Sequence, residues 1–272
     1  MTQKEKGERF LALHQEPGVF VIPNPWDVGS AKILDGLGFK ALATSSAASA
    51  MTLGQKDGTL SREQAIAHAR AIANATNLPV SADLENGFGD APETVAETVR
   101  LAAEAGLVGC TVEDSTGNAD KPIYDLKFST QRIAAGAQMA RRLGFPFMLT
   151  ARAHNLLYAN PSVEETIQRL RAYEQAGADV LFAPGLPDLA AVRAVCGAVT
   201  KPFNFMVGLK GKSFSVQKLA DAGVKRISLA TSLYRAAMNG LVEAAREMIE
   251  SGSFGFVERS VMTADLLKLM NL

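Results

Sequence analysis

The pattern that most limits the fold is a repeat. Eight short apolar runs, each entered through a small-residue turn, recur as "GVFVIPN", "GFKALATSS", "NLPVSADLE", "GLVGCTVED", "GFPFMLTAR", "GADVLFAP", "KPFNFMVG" and "GVKRISLAT". Between them lie segments with apolar residues at helical spacing: Arg62 to Asn74, Pro92 to Ala105, Ser129 to Leu143, Val163 to Ala176, Pro187 to Cys196 and Val216 to Ala222. Several end in one helix-stop signal, a small residue before a glycine, as in "EAG" at Glu104, "QAG" at Gln175 and "DAG" at Asp221. Strands that are apolar on both faces and alternate with helices imply a parallel sheet covered by helices. The 272 residues shared among eight units leave about 34 for each, the number and length of a (β/α)8 TIM-type barrel, an α/β fold. The competing fold for any βα repeat is an open doubly wound sheet, which wants a glycine-rich dinucleotide loop after its first strand. Here the first strand runs into "IPNPWDVGS" instead.

Residues 1–272 therefore read as a single barrel domain. The chain beyond the eighth strand is long enough for two helices. The stretch 254–270 carries Phe256, Val261, Leu266, Leu267 and Met270, more apolar positions than closing a barrel needs. It is expected to form an extra C-terminal helix swapped onto a neighbouring subunit, giving a homodimer or homotetramer.

Composition narrows the partners. The 28 basic and 28 acidic residues cancel, and no basic run interleaves with aromatics. No nucleic acid and no membrane surface is expected as a partner; a small molecule is. The N-terminal "MTQKEKGERFLALHQ" is charged and amphipathic, without a signal-peptide core, and no apolar span of membrane length occurs after it. The two cysteines, Cys110 and Cys196, read as core thiols, which suits a reducing cytoplasm. His14 and His68 read as exposed helix residues, and Asp90 as a cap or solvated loop acid.

In a barrel the strand ends converge on one mouth. Those ends are Asn24 and Trp26; Ser45, Ser46 and Ala47; Asp83 and Glu85; Glu113 and Asp114; Arg152 and His154; Pro184; Asn204; and Thr231. Residues two apart on a strand share a face, so Asp83 and Glu85 look one way, with Glu113 ending the next strand nearby. Crowded carboxylates take up protons unless cations are supplied, so the site is either a carboxylic-acid pair or a cation site. Hard oxygen donors with no His or Cys among them suit Mg2+, with Mn2+ as the alternative. Arg152 reads as a fork for a substrate carboxylate against a surface ion pair, and His154 shares its face.

These residues carry a resemblance. In "NPWDVGSAKI", "ATSSAASAMTLGQKDG", "SADLENGFGD", "TVEDS", "LTARAH" and "GVKRISLATSLYRAAM" the chain resembles the isocitrate lyase and phosphoenolpyruvate mutase superfamily over nearly its full length. The resemblance implies a barrel with Mg2+ at its mouth, a 2-oxo or 2-hydroxy carboxylate as ligand, and a swapped last helix. Carried over by position, Asp83 matches the acid bound directly to the metal, and Glu85, Glu113 and Asp57 match acids that hold its waters. Ser45, Ser46 and Ala47 match the turn that takes the substrate carboxylate, and Trp26 an aromatic wall. Arg152 matches the arginine that polarises the substrate oxygen or holds a second anionic group. His154 and Asn204 complete the expected binding set.

The chain also departs from that pattern. Carbon–carbon lyases of the superfamily carry a "KKCGH" loop after the fourth strand, whose Cys is the acid or base. Here the loop is "EDSTGNADKPIYD", without Cys or His. Phosphonomutases carry a lysine and then an asparagine there, whereas Asn118 precedes Lys121. Lys121 is retained as a lid cation, with residues 115–124 expected to close over ligand. The implied activity is Mg2+-dependent carbon–carbon cleavage or decarboxylation through an enolpyruvate-type intermediate. The alternatives are a phosphonomutase, a C–P hydrolase, or a 2-oxo acid binding protein without turnover.

Overall fold

The computed structural model describes residues 1–158 and 162–272. Its strands are β1 Phe20–Ile22, β2 Leu42–Ala43, β3 Val80–Asp83, β4 Gly109–Glu113, β5 Met148–Arg152, β6 Val180–Phe182, β7 Phe203–Met206 and β8 Arg226–Ser228. The helices are α1 Gln3–Gln15, α2 Val28–Gly36, α3 Ser46–Thr52, α4 Arg62–Ala75, α5 Pro92–Glu104, α6 Leu126–Arg141, α7 Val163–Gln175, α8 Leu189–Ala198, α9 Val216–Asp221, α10 Ser232–Ser251 and α11 Thr263–Leu269.

All eight strands are parallel, in the order β1-β8-β7-β6-β5-β4-β3-β2. The two end strands meet through the Ala43 N–H, which donates to the Pro23 carbonyl at 3.0 Å. Asn24 reinforces that seam by donating to the Thr44 carbonyl and accepting from the Leu229 N–H. The sheet is thus a nearly closed (β/α)8 barrel, as the repeat implies.

The short strands are apolar because both faces are covered. Their outward side chains, with those of α4 to α9, form one continuous core that includes Cys110, Leu149, Leu181 and Phe203; half-buried Cys196 packs against it. Inside the barrel a small apolar cluster of Phe10, Ile22, Val108, Met148 and Val180 is joined by buried polar groups. Arg226 on β8 is buried and donates to Asn204 on β7 and Thr150 on β5. Below them α1 closes the barrel floor with His14.

His14 is buried, not exposed as its helix position suggests. Its Nδ1 lies 2.8 Å from the Phe10 carbonyl and its Nε2 3.4 Å from Arg226 Nη1. Burial first, then the Arg226 charge, push its pKa down to about 3. His68 is half-buried, with its Nε2 2.8 Å from the Trp26 carbonyl.

The C-terminal segment differs from one continuous helix. A 3-10 turn at Gly255–Arg259 is followed by a break and then by α11. This last helix lies on α2 of the same chain, and the Leu269 carbonyl sits where any side chain at Gly36 would go. No side chain of α10 is buried.

Candidate active site

Strand register sets the geometry of the mouth. Glu113 pairs with Arg152, and Arg152 with Phe182, so an acid, a guanidinium and an aromatic ring stand side by side at the ends of β4, β5 and β6. Arg152 Nη1 lies 3.2 Å from Glu113 Oε2 and 4.0 Å from Asp83 Oδ2. Its guanidinium carbon stands 5.0 Å from the centre of the Phe182 ring. Arg152 Nη2 is 3.1 Å from His154 Nε2. A guanidinium can only donate, so His154 Nε2 is the acceptor and the imidazole proton sits on Nδ1. That Nδ1 faces Glu113 Oε1 at 3.1 Å, off the line of a good hydrogen bond.

Asp83 ends β3 on the opposite side. Its Oδ2 accepts from the Ser46 hydroxyl at 3.0 Å and the Ser46 N–H at 3.3 Å. Its own N–H donates to Thr44 Oγ1. Glu85 comes next with φ 49, a left-handed conformation that non-glycine residues adopt at a cost. That turn is braced from below by buried Arg132, which donates to the carbonyls of Asn86, Gly89, Asp90 and Glu113. Asp90 is exposed, as expected of a solvated loop acid, and accepts from the Tyr124 hydroxyl.

Two stacked cavities result. The lower, about 40 Å³, is lined by Asn24, Thr44, Ser45, Asp83, Arg152, Phe182, Asn204 and Arg226 among others. The upper, about 570 Å³, opens at the mouth and takes Ser46, Asp57, Glu85, Glu113, Ser115, Arg152, His154 and Tyr158 into its wall.

The electrostatics divide the acids. Burial raises the Asp83 pKa, and the charges of Glu113 and Asp57 push the same way against Arg152. Glu85 rises to about 8, through burial and then Asp83, Asp57 and Glu113. Burial would also raise Glu113, but Arg152 and His154 outweigh it and hold the carboxyl down at about 2. The Asp83 side of the mouth is therefore short of positive charge, and the Glu113 side is balanced.

That imbalance tests whether a divalent cation fits. Among the described residues no three of His, Cys, Asp and Glu gather closely enough to ligate one ion directly. The acids suit an ion held by one carboxylate, with waters reaching the others, the manner in which Mg2+ is commonly bound. Hard oxygen donors whose crowding raises their own pKa values are the donor set such an ion relieves.

The structure gathers Asp57, Asp83, Glu85, Glu113, Ser45, Ser46, Arg152 and His154 around these cavities, but not every residue expected there. Trp26 turns away: its N–H caps α2 through Ser30 Oγ, and its ring packs edge-on against Tyr234 of α10. Lys121 is exposed, because an antiparallel bridge between Ser115 and Ile123 folds the segment into a small hairpin with Lys121 near its outward tip. Asn204 does line the lower cavity, deep in the barrel, where it donates to Ser228 and accepts from Arg226. Ala47 lies in the first turn of α3 and lines neither cavity. Asp114, one residue beyond Glu113, points outward by strand alternation; it accepts from Arg169, Tyr173 and the His154 N–H.

Three site residues escaped the sequence. Phe182 sits under Arg152 because of register alone. Ser115 and Tyr158 meet at 3.0 Å across the mouth from positions 43 apart.

A family model described as phosphoenolpyruvate phosphomutase matches residues 10–249. A crystal structure from Burkholderia cenocepacia J2315, described only at the level of lyase/mutase, is 50% identical with a TM-score of 0.97, over 99% of this chain and 97% of that one. The crystal structure of oxaloacetate acetylhydrolase with its product oxalate is 26% identical with a TM-score of 0.88, over 98% of this chain and 94% of that one. Oxaloacetate decarboxylase of Ectopseudomonas mendocina (strain ymp) is 27% identical over 90% of this chain and 85% of its own length.

Proposed function

We propose that this chain, which belongs to the phosphoenolpyruvate phosphomutase family, is a lyase that breaks a carbon–carbon bond, by cleavage or decarboxylation, at C3 of a small 2-oxo or 2-hydroxy acid. The observation that carries the reading is the split mouth. Carboxylates short of a cation, Asp83 and Glu85, face a half-buried guanidinium, Arg152, that is already held in place by Glu113 and His154.

Asp83 would hold Mg2+ directly, with Glu85, Asp57 and Glu113 holding its waters. When bound, the ion supplies a chelate for an α-oxo carboxylate and a sink for negative charge on its oxygen. The chain's own residues do the rest. Arg152, fixed by Glu113 and by the Phe182 face, orients the anionic substrate and stabilises the oxygen on which charge grows. Ser45 and the Ser46 N–H lie at the start of α3, where a carboxylate would be received. Ser46 meanwhile keeps Asp83 aimed through its hydroxyl. The hairpin at residues 115–124 covers the mouth, and the exposed face of α10 is the surface on which a second copy would assemble.

The likeness to an oxaloacetate decarboxylase and an oxaloacetate acetylhydrolase supports oxaloacetate-type acids, while the phosphomutase family model keeps a phosphonate as the alternative substrate. The test is a screen for pyruvate release from oxaloacetate, 2-methylisocitrate, malate-type acids and phosphonopyruvate, with and without Mg2+. Mg2+-dependent release from one of the carbon acids is expected. Release from phosphonopyruvate alone, or from none, would sink the reading.

A further inference from the structure

Cleavage at C3 leaves a carbanion that must be protonated, and the lyase cysteine expected for that task has no counterpart in this loop. In the upper cavity most protic groups already spend their hydrogens. The Ser46 hydroxyl donates to Asp83. The Thr116 hydroxyl is turned into the hairpin, onto the Lys121 carbonyl. His154 offers Nε2 to Arg152, and its Nδ1, without a hydrogen-bond partner among the described residues, lies against the Glu113 carboxylate at 3.1 Å. Glu113 itself is ionised, and Arg152 is committed to it.

Glu85 gives up its proton once Mg2+ is bound, so among the described residues Ser115 and Tyr158 remain. Their oxygens share a single hydrogen bond of 3.0 Å in which either can donate. Two hydroxyls joined by one bond use one proton between them, so a second stays free at the cavity wall. Ser115 is buried, at 7% exposure, while Tyr158 is half-exposed, its ring 5.7 Å from that of His154 at 54°. Both residues line the cavity that Glu85, Asp57 and Arg152 also line. A phenol is a far stronger acid than an aliphatic alcohol, which makes Tyr158 the donor of the pair and Ser115 its link to water.

We propose that Tyr158, hydrogen-bonded to Ser115, is the proton donor to C3 in the reaction of this site. The assignment rests on the oxo-acid reading of the mouth. As the bond from C3 to the departing carbon breaks, its electron pair stays with the oxo acid as an enolate. That pair then forms the new C3–H bond while the Tyr158 O–H bond breaks, leaving a phenolate. The phenolate regains a proton from water through the Ser115 hydroxyl. No oxidant or second substrate is needed. In reverse, the phenolate removes a C3 proton from bound pyruvate, so the protein should exchange those hydrogens with solvent.

The experiment is NMR-monitored deuterium exchange at C3 of pyruvate with the Mg2+-loaded protein, beside calorimetric titration of oxalate in the presence of Mg2+. Wild-type protein should exchange pyruvate hydrogens with solvent. Tyr158→Phe should slow exchange about 100-fold or more, as loss of a positioned acid–base group does. Its oxalate affinity should stay within about threefold of wild type, because the phenol takes no part in chelation. Ser115→Ala should slow exchange by about tenfold with the same oxalate affinity. Exchange by Tyr158→Phe within about threefold of wild type would overturn the assignment. Wild-type protein that binds Mg2+ and oxalate but exchanges no pyruvate hydrogens would also overturn it, leaving the oxo-acid site standing. Failure of wild-type protein to bind oxalate at all would bring down the site reading and this assignment with it.

Discussion

Glu85 and Glu113 are the same side chain at neighbouring strand ends, yet one is pushed up to about 8 and the other down to about 2. Burial acts on both; only Glu113 has Arg152 and His154 beside it. At neutral pH without a divalent ion, Glu85 therefore keeps a proton that Mg2+ must displace. Mg2+ affinity should rise from acid pH up to about 8 and then level. Calorimetry in buffers of different ionisation enthalpy should show close to one proton released near pH 7, and Glu85→Gln should abolish that release. The same shift has a stability consequence. A carboxyl with a raised folded pKa stabilises the fold at low pH, and this contribution is lost as pH climbs from the usual 4.5 through about 8. Metal-free protein should thus lose thermal stability across that window and Mg2+ should restore it. Asp83, whose carboxylate is the expected direct ligand, makes the sharper test. Asp83→Ala should abolish Mg2+-dependent oxalate binding, whereas Glu85→Gln should weaken it about 10- to 100-fold, and both variants should keep their circular dichroism. Unchanged binding in Asp83→Ala would show that the acids serve something other than a metal. This part of the site was legible because β3 ends on Asp83 and the next strand on Glu113, although Glu85 reaches the mouth through a left-handed turn past the strand and not by alternation. Trp26 was not, since Pro23 and Pro25 turn the chain out of the strand before it.

Among the elements, the loop from Glu85 to Asp90 depends on a group that no local pattern reveals. Arg132 lies on α6, more than forty residues on, and satisfies four carbonyls of that loop and of β4 with one buried guanidinium. Its charge lies against the Tyr124 ring at 4.3 Å. Arg132→Met would keep much of the volume but orphan those carbonyls, each costing about 1 to 3 kcal/mol when buried without a partner. The expected loss is at least about 3 kcal/mol in chemical denaturation, with oxalate binding reduced in whatever protein remains folded because the Glu85 turn loses its support. A variant as stable as wild type would mean that water replaces the guanidinium freely. The contact of α11 with α2 makes a second test. A methyl group at Gly36 would collide with the Leu269 backbone, which has no rotamer by which to yield. Gly36→Ala should detach α11 and open the C-terminus to proteolysis, at a cost of about 1 to 3 kcal/mol. The six helices from α4 to α9 were readable from their apolar spacing, with α6 beginning three residues before the expected Ser129. The short helices α2 and α3 were not, for each is one or two turns started by a cap, Asp27 or Ser45, rather than by a long apolar stripe.

For the whole molecule, barrel and mouth could be read from the repeat because closure of eight parallel strands leaves the strand ends only one place to meet. Assembly depends on a different feature, the surface left uncovered. On and after α10, Leu241, Val242, Met248, Ile249, Phe254, Val257, Val261 and Met262 are exposed, Ile249 at 85%. Scattered apolar residues on a surface need no partner, but this many along one helix and the segment after it form a stripe of the kind that marks an interface. The α10 helix has apolar residues at helical spacing and, beyond Leu233 and Tyr234 in its first turn, leaves them off its own barrel. A helix of this amphipathicity is expected to cover that face with protein, and the commonest way for a single gene product to do so is a two-fold contact that presents the same stripe from both sides. Sedimentation at micromolar concentration should therefore show a dimer or tetramer. Placing a charge in the stripe, with Leu241→Lys and Ile249→Lys combined, should shift the distribution toward monomer while the circular dichroism of the barrel persists. A monomeric wild type at that concentration would rule the interface out. Assembly that survives both lysines would place it on another face of the barrel.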